Sequence, residues 1–265
     1  MRLALGVEYD GSAFSGYQLQ RNSPSIQQSL QAAISQIAAE SIVLSAAGRT
    51  DAGVHATQQV VAFSTEAERP LTAWIRGTNA LTPAGVKVQW AERVADDFHP
   101  RFQATARRYM YLFYESSSRS PLLEGYSVQS PPLDDEEMHR AAAALVGEQD
   151  FSAFRGAGCQ SATPYRCVHR VSVQRAGGMV ILDISANAFL LHMVRNIAGS
   201  LWQIGQHKED AGWIRDLLIG RDRREAASTA PPQGLYLVDV RFPGLKLPPG
   251  RLPGLLRGLG GLDRF

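Results

Sequence analysis

Apolar and polar positions alternate at the start of the chain. In "RLALGVEY", residues 2–9, Leu3, Leu5 and Val7 share one face, which predicts a β-strand. A polar loop, "DGSAFSGYQLQRNSPS", follows. From about Ile26 the pattern changes to a helical period, with Ile26, Leu30, Ile34 and Ile37 in one stripe. Ser25 is placed to cap that helix, with Gln28 three residues on. "SIVLSA" and "QQVVAFST" read as strands, and a helix near Leu71 to Leu81 and a strand at Val86 to Val94 complete a β-α-β-β-α-β run.

The second half repeats this order. "RRYMYLFYE", Arg107 to Glu115, is a predicted strand, and a helix starts at Asp134. Glu137 holds the reciprocal capping position there, with Leu133 and Met138 as a hydrophobic staple. "VHRVSVQRA" and "MVILDISAN" read as strands joined by Gly177 and Gly178, a hairpin signal. Phe189 to Gly205 is predicted as a long apolar helix, and "LYLVDVRF", Leu235 to Phe242, as the closing strand. The expected fold class is α+β, with two ferredoxin-like halves forming a mainly antiparallel sheet, helices on one face and a cleft between the halves. The expected boundaries are 1–100 for the N-terminal half, 101–243 for the C-terminal half and 244–265 for a Pro/Gly/Leu-rich tail. That tail reads as a peripheral extension that can pack on the body but has no chemistry.

Composition adds limits. The chain has 265 residues, 45% hydrophobic and 20% charged, as in an ordinary soluble globular protein. No apolar run is long enough for a membrane span, and residues 1–10 do not read as a signal peptide. Cys159 and Cys167 lack metal-ligand spacing and read as reduced thiols of a cytoplasmic protein. A net charge of +2 does not announce nucleic acid. The choice of cation says more, because Lys occurs only at Lys87, Lys208 and Lys246 and the other 24 basic residues are Arg. Arginine forks match phosphate oxygens; a GC-rich genome gives the same bias.

The candidate chemistry begins at "AAGRTDAGVHA", Ala46 to Ala56, which places Arg49, Asp51 and His55 on a glycine-containing loop. Its glycine spacing resembles a phosphate loop, but Val54 stands where the lysine would start. Asp51 and His55 could share a metal only on a helix, which Gly53 opposes, and no other histidine has ligand spacing, so no metal is expected. Asp51 reads either as an Asx-turn residue or as a deliberately placed carboxylate.

Arg195 is the second anomaly. It lies among Phe189, Leu190, Met193, Val194, Ile197 and Leu201, on a narrow polar edge with His192 and Asn196, while Gly199 leaves room for a close approach. A cation there needs a carboxylate partner, or it snorkels to solvent. Tyr109 and Tyr111 share a strand face with Arg107 and serve either as core or, at the strand start, as a base-stacking ring. Arg21, Arg101, Arg107, Arg108, Arg155 and Arg166 are candidates for phosphate contacts.

"EYDGSAFSGYQLQ", "GRTDAGVHA", "DDFHPRFQATARRYMYLF", "DFSAFR", "FLLHMVRNIAGSL" and "GLYLVDV" stand in order along Leu3 to Phe242. Together they resemble the tRNA pseudouridine synthase A family. The resemblance implies an isomerase that converts uridines of the tRNA anticodon stem-loop, at positions thirty-eight to forty, to pseudouridine. It implies no cofactor and no metal, and a homodimer that binds tRNA. It makes Asp51 the catalytic nucleophile, Tyr109 the base-stacking ring and Arg195 the partner of the catalytic carboxylate. Leu235 becomes a lining of the uridine pocket, and Arg49 the residue that helps displace the target base. Two positions depart from the family's pattern: Tyr17 stands where tryptophan is usual and Ser12 where threonine is usual, which bears on RNA-contact detail.

Overall fold

In the computed structural model, which describes residues 1–258, the chain forms two compact units. The first holds Met1–Thr105 together with Tyr236–Pro253, and the second holds Ala106–Leu235 and residues 254–258. The fold is mixed α+β, and most strand pairs are antiparallel.

In the first unit, β1 (Arg2–Tyr9) pairs antiparallel with β3 (His55–Ser64) on one side and with β4 (Val86–Val94) on the other. The expected strand at residues 41–46 shrinks to β2 (Ser45–Ala46), which pairs antiparallel with β3. Residues 41–44 instead close the end of helix α1 (Ile26–Ala38), where the Ser35 hydroxyl accepts from Ile42 N–H and the Gln31 side chain from Leu44 N–H. Ser25 caps α1 as expected, accepting from Gln28 N–H at 3.2 Å. Helix α2 (Leu71–Leu81) packs on α1 and β4, and Trp74 meets Phe63 edge-on at 5.3 Å. Leu30, Ile34, Phe63 and Trp74 are wholly buried and anchor this core.

Strand β10 (Leu235–Arg241) is reached last in the chain, and its residues Tyr236 and Leu237 pair parallel with His55 and Ala56. The tail beyond it is partly structural. Thr57 donates its hydroxyl to Arg251 O at 2.6 Å, Gln58 donates to Pro248 O at 2.8 Å, and Gly250 N–H donates to the Asp239 carboxylate at 3.1 Å. These bonds pack 248–251 over β3 and β10. The end of the expected tail, residues 259–265, lies outside the described residues.

In the second unit, the strand order is β5 (Ala106–Glu115), β9 (Met179–Ala186), β8 (Tyr165–Ala176), β7 (Gly147–Asp150), all antiparallel, with β6 (Val128–Ser130) parallel to β5. Periodicity did not foresee β6, β7 or helix α5 (Trp213–Gly220), each too short to establish a pattern. Asp134 caps α3 (Asp135–Ala142), accepting from Glu137 N–H at 2.9 Å.

The long apolar helix is shorter than its apolar run suggests: α4 spans Met193–Gly205. His192 stands before it at φ 60°, ψ 4°, a left-handed conformation in which a helix cannot continue. Phe189 to Leu191 therefore form a separate approach. Met138 packs beside Gly205 at the far end of α4, and Trp202 meets Phe113 at 5.5 Å. No helix among the described residues is long and apolar enough to cross a membrane.

Candidate active site

The Asp51 bend lies between β2 and β3, and two segments far apart in the sequence interlock to hold it. Val54 N–H donates to Asp51 O at 3.2 Å and closes the turn, while Gly53 supplies the positive φ, 77°, that the turn requires. Around this bend lies the polar loop after β1. Tyr17 N–H donates to Thr50 O at 3.0 Å, and Gly11 N–H donates to His55 Nδ1 at 3.1 Å. Gly16, at φ 102°, passes so close that a Cβ there would sit 2.9 Å from Thr50 O and 3.2 Å from Ala52 N. Gly11 comes closer still, since a Cβ there would sit 2.1 Å from Val54 O.

Side chains complete the clamp. The Tyr9 hydroxyl and the Thr50 hydroxyl share a buried hydrogen bond of 2.7 Å. Burial pushes the Tyr9 phenol up to about 12, against smaller opposing effects of its bonds to Thr50 and Gln59. His55, nearly wholly buried, stacks on Tyr236 at 4.8 Å. The result is a carboxylate, Asp51, half-buried on a rigid bend, with Arg49 exposed two residues before it. Such a carboxylate can act as a nucleophile or as a base. Tyr17, linked above to RNA-contact detail, is 2% exposed and packs under the bend, 6.5 Å from the Tyr9 ring. It serves packing instead.

The second unit gathers the other candidates around the odd-numbered face of β5. Tyr109 is buried and meets Phe189 edge-on at 5.1 Å, and Arg107 donates to Asn187 O at 2.8 Å. The Tyr111 hydroxyl donates to Pro231 O at 2.7 Å. Burial pushes that phenol far up, and the nearby Arg195 charge partly opposes the shift. Arg195, half-buried in the first turn of α4, donates through Nε to Ala230 O at 2.8 Å. Leu235 follows four residues after Pro231 and is buried. Tyr111, Arg195 and the extended 230–231 segment thus form one connected cluster. The polar edge expected for Asn196 does not exist. Its side chain is wholly buried and bonds Phe154 O, Arg223 and Thr229.

The phosphate candidates divide. Arg108 is buried and grips the Asp183 carboxylate with both Nε, at 2.8 Å from Oδ1, and Nη2. Its guanidinium is a structural cation. Arg155 donates to Cys159 O and Ser161 O, and Arg166 to Thr163 O and the Ser161 hydroxyl, so both brace the 155–166 loop. Arg21 and Arg101 are exposed. Cys159 and Cys167 are free thiols, both half-buried.

A family model described as tRNA pseudouridine synthase matches residues 6–103 and 141–243. The chain is 52% identical over 244 residues to a protein named tRNA pseudouridine synthase A from Shewanella loihica, a match covering 92% of this chain and 94% of the relative. A protein of the same name from Shewanella sp. (strain MR-4) is 54% identical over the same shares. Another, from Actinobacillus pleuropneumoniae, is 52% identical over 92% of this chain and 93% of its own length.

Proposed function

Because the chain belongs to the tRNA pseudouridine synthase family, and is thus an isomerase of tRNA uridine, we propose that Asp51 is its catalytic nucleophile and that its targets are uridines of the anticodon stem-loop. The observation that carries this reading is the Asp51 bend itself. A half-buried carboxylate is held by Gly16, Tyr17, Tyr9 and Thr50, in the middle of a segment that the family model covers. Proteins hold a loop this firmly when a side chain on it must be positioned.

The reaction conserves its atoms. The bond from uracil nitrogen to the ribose carbon breaks, the base turns, and a ring carbon joins the same ribose carbon. That ring carbon loses its proton and the freed nitrogen gains one, so the reading requires no cofactor and no metal. Asp51 must be ionised to attack. A uridine inside a stem must first leave the stack, which costs a few kcal/mol. Stacking on Tyr109 returns about 1–3 kcal/mol of that. Arg49, exposed at the entry to the bend, displaces the base; Leu235 lines the uracil pocket; and Arg195 serves in binding the uridine.

The finer fold reading, two ferredoxin-like halves, is supported in the first unit by β1 standing antiparallel between β4 and β3, with β2 antiparallel to β3; β10 adds to β3 in parallel. In the second, β6, β7 and α5 are additions to that plan. A homodimer belongs to the same reading, and sedimentation of the purified chain checks it.

The deciding experiment incubates wild-type protein and Asp51→Ala with unmodified tRNA transcript, with and without a chelator, and maps pseudouridine. Wild type is expected to modify anticodon-arm uridines in both conditions. Asp51→Ala should bind the tRNA and modify nothing. Full modification by Asp51→Ala would leave an RNA-binding protein whose chemistry lies elsewhere.

A further inference from the structure

Segment 226–231 crosses α4 at close range. A Cβ on Gly199 would sit 2.3 Å from Ser228 O, so the two backbones touch where the helix has no side chain. Three residues earlier on the helix, Asn196 is wholly buried and its amide bonds three partners. Its Oδ1 accepts from the Thr229 hydroxyl at 2.7 Å and from Arg223 Nη2 at 3.0 Å, and its Nδ2 donates to Phe154 O at 2.8 Å. Thr229 gives its only hydroxyl proton to Asn196, so its oxygen is left to accept from Arg223, at 3.3 Å. Arg223 also closes on Ala226 O at 3.1 Å.

This network spends a guanidinium on neutral oxygens. Arg223 is half-buried, and its acceptors among the described residues are Ala226 O, Asn196 Oδ1 and Thr229 Oγ1. Burial lowers its pKa. The neighbouring Asp222 is engaged by Arg224. Desolvating a cation without a carboxylate partner works against folding, so the arrangement calls for a role besides stability.

That role lies one residue beyond Thr229. Ala230 bonds Arg195 through both sides of its backbone: its N–H donates to Arg195 O at 3.2 Å, and its O accepts from Arg195 Nε at 2.8 Å. Pro231 O then receives the Tyr111 hydroxyl, and the chain continues to Leu235. We infer that Asn196, Thr229 and Arg223 are positioning residues: they latch 226–231 across α4 so that Ala230 sets the plane of the Arg195 guanidinium and Leu235 enters β10 at a fixed place. The inference rests on the reading that Arg195 and Leu235 serve the uridine site. It adds the hydrogen-bond network around the buried Asn196 amide as the device that aims them.

The test uses the full chain and unmodified tRNA transcript, measuring kcat, KM, tRNA affinity and melting temperature. Thr229→Val keeps the shape and removes the hydroxyl. Its kcat should fall about tenfold to a hundredfold with KM within about twofold of wild type, and Thr229→Ser should return kcat to within about threefold. Arg223→Lys keeps the charge but loses the fork, and it should follow Thr229→Val; it carries the test if Thr229→Val does not fold. A folded Thr229→Val with wild-type kcat overturns the inference, whatever its melting temperature. So does a Thr229→Ser as slow as Thr229→Val, or a loss confined to KM. A wild-type chain that makes no pseudouridine in the same assay would defeat the functional reading and the latch with it. An active wild type beside an equally active Thr229→Val would defeat the latch alone.

Discussion

Tyr17 buries a hydroxyl that has no hydrogen-bond partner among the described residues. Its phenol is pushed far up, first by burial and then by the neighbouring Tyr9. An unsatisfied buried hydroxyl costs about 1–3 kcal/mol of desolvation, and nothing at this site returns it. Tyr17→Phe keeps the ring against Tyr9 and removes the orphan, so it should stabilise the protein by about 1 kcal/mol, read from the midpoint of denaturant unfolding. A destabilised Tyr17→Phe would mean that the hydroxyl has a partner after all. The carboxylate this packing supports was legible in the sequence, since an aspartate beside an arginine on a glycine loop is unusual for a turn. The support was not. Gly16 reads as one more polar-loop glycine until its φ of 102° and its approach to Thr50 O are seen, because backbone-to-backbone contacts leave no residue-type signature.

Helix and strand periods record which face is apolar, and they fail where an apolar run outlasts its element. Phe189 to Leu191 continue the helical pattern of α4 although His192 has already turned the chain, so the sequence places the start of α4 four residues early. The consequence falls on Arg195, which stands in the first turn of the helix rather than in its middle, where its Nε reaches the Ala230 carbonyl. On β5 the alternation holds, with Arg107, Tyr109 and Tyr111 on one face and Arg108 and Met110 on the other. What alternation could not supply was the partner of Arg108, because Asp183 comes from β9, far along the chain. Removing one member of this buried pair leaves the other charge stranded. Arg108→Met should cost about 3–5 kcal/mol, whereas Arg108→Met combined with Asp183→Leu should recover most of that loss in a double-mutant cycle of unfolding free energies. Full additivity of the two single changes would show that the pair is not coupled.

At the scale of the whole molecule, each unit closes through contacts that the order of the chain hides. The β10 strand is written last yet pairs with β3, and residues 248–251 then cover that pair. Alternation shows that "LYLVDVRF" is a strand; it does not say which neighbour receives it. Three buried phenols distribute a common alkaline weakness over both units: Tyr9 and Tyr17 in the first, Tyr111 in the second. All three are raised mainly by burial, Tyr9 from 10.0 to about 12 and the other two further. Below pH 10 the folded and unfolded chains both keep these protons. Between 10 and about 12 the unfolded chain gives them up while the folded chain holds them, so each unit of rising pH favours unfolding. Stability contributed by the neutral phenols is therefore complete below pH 10 and is lost as pH climbs through 12 and beyond. A titration should show exposed tyrosines ionising first, with the circular dichroism of the helices unchanged. The buried phenols should then ionise together with the loss of helix signal. Ionisation of all eight tyrosines in one step near pH 10, with the helices intact, would contradict the burial of these rings.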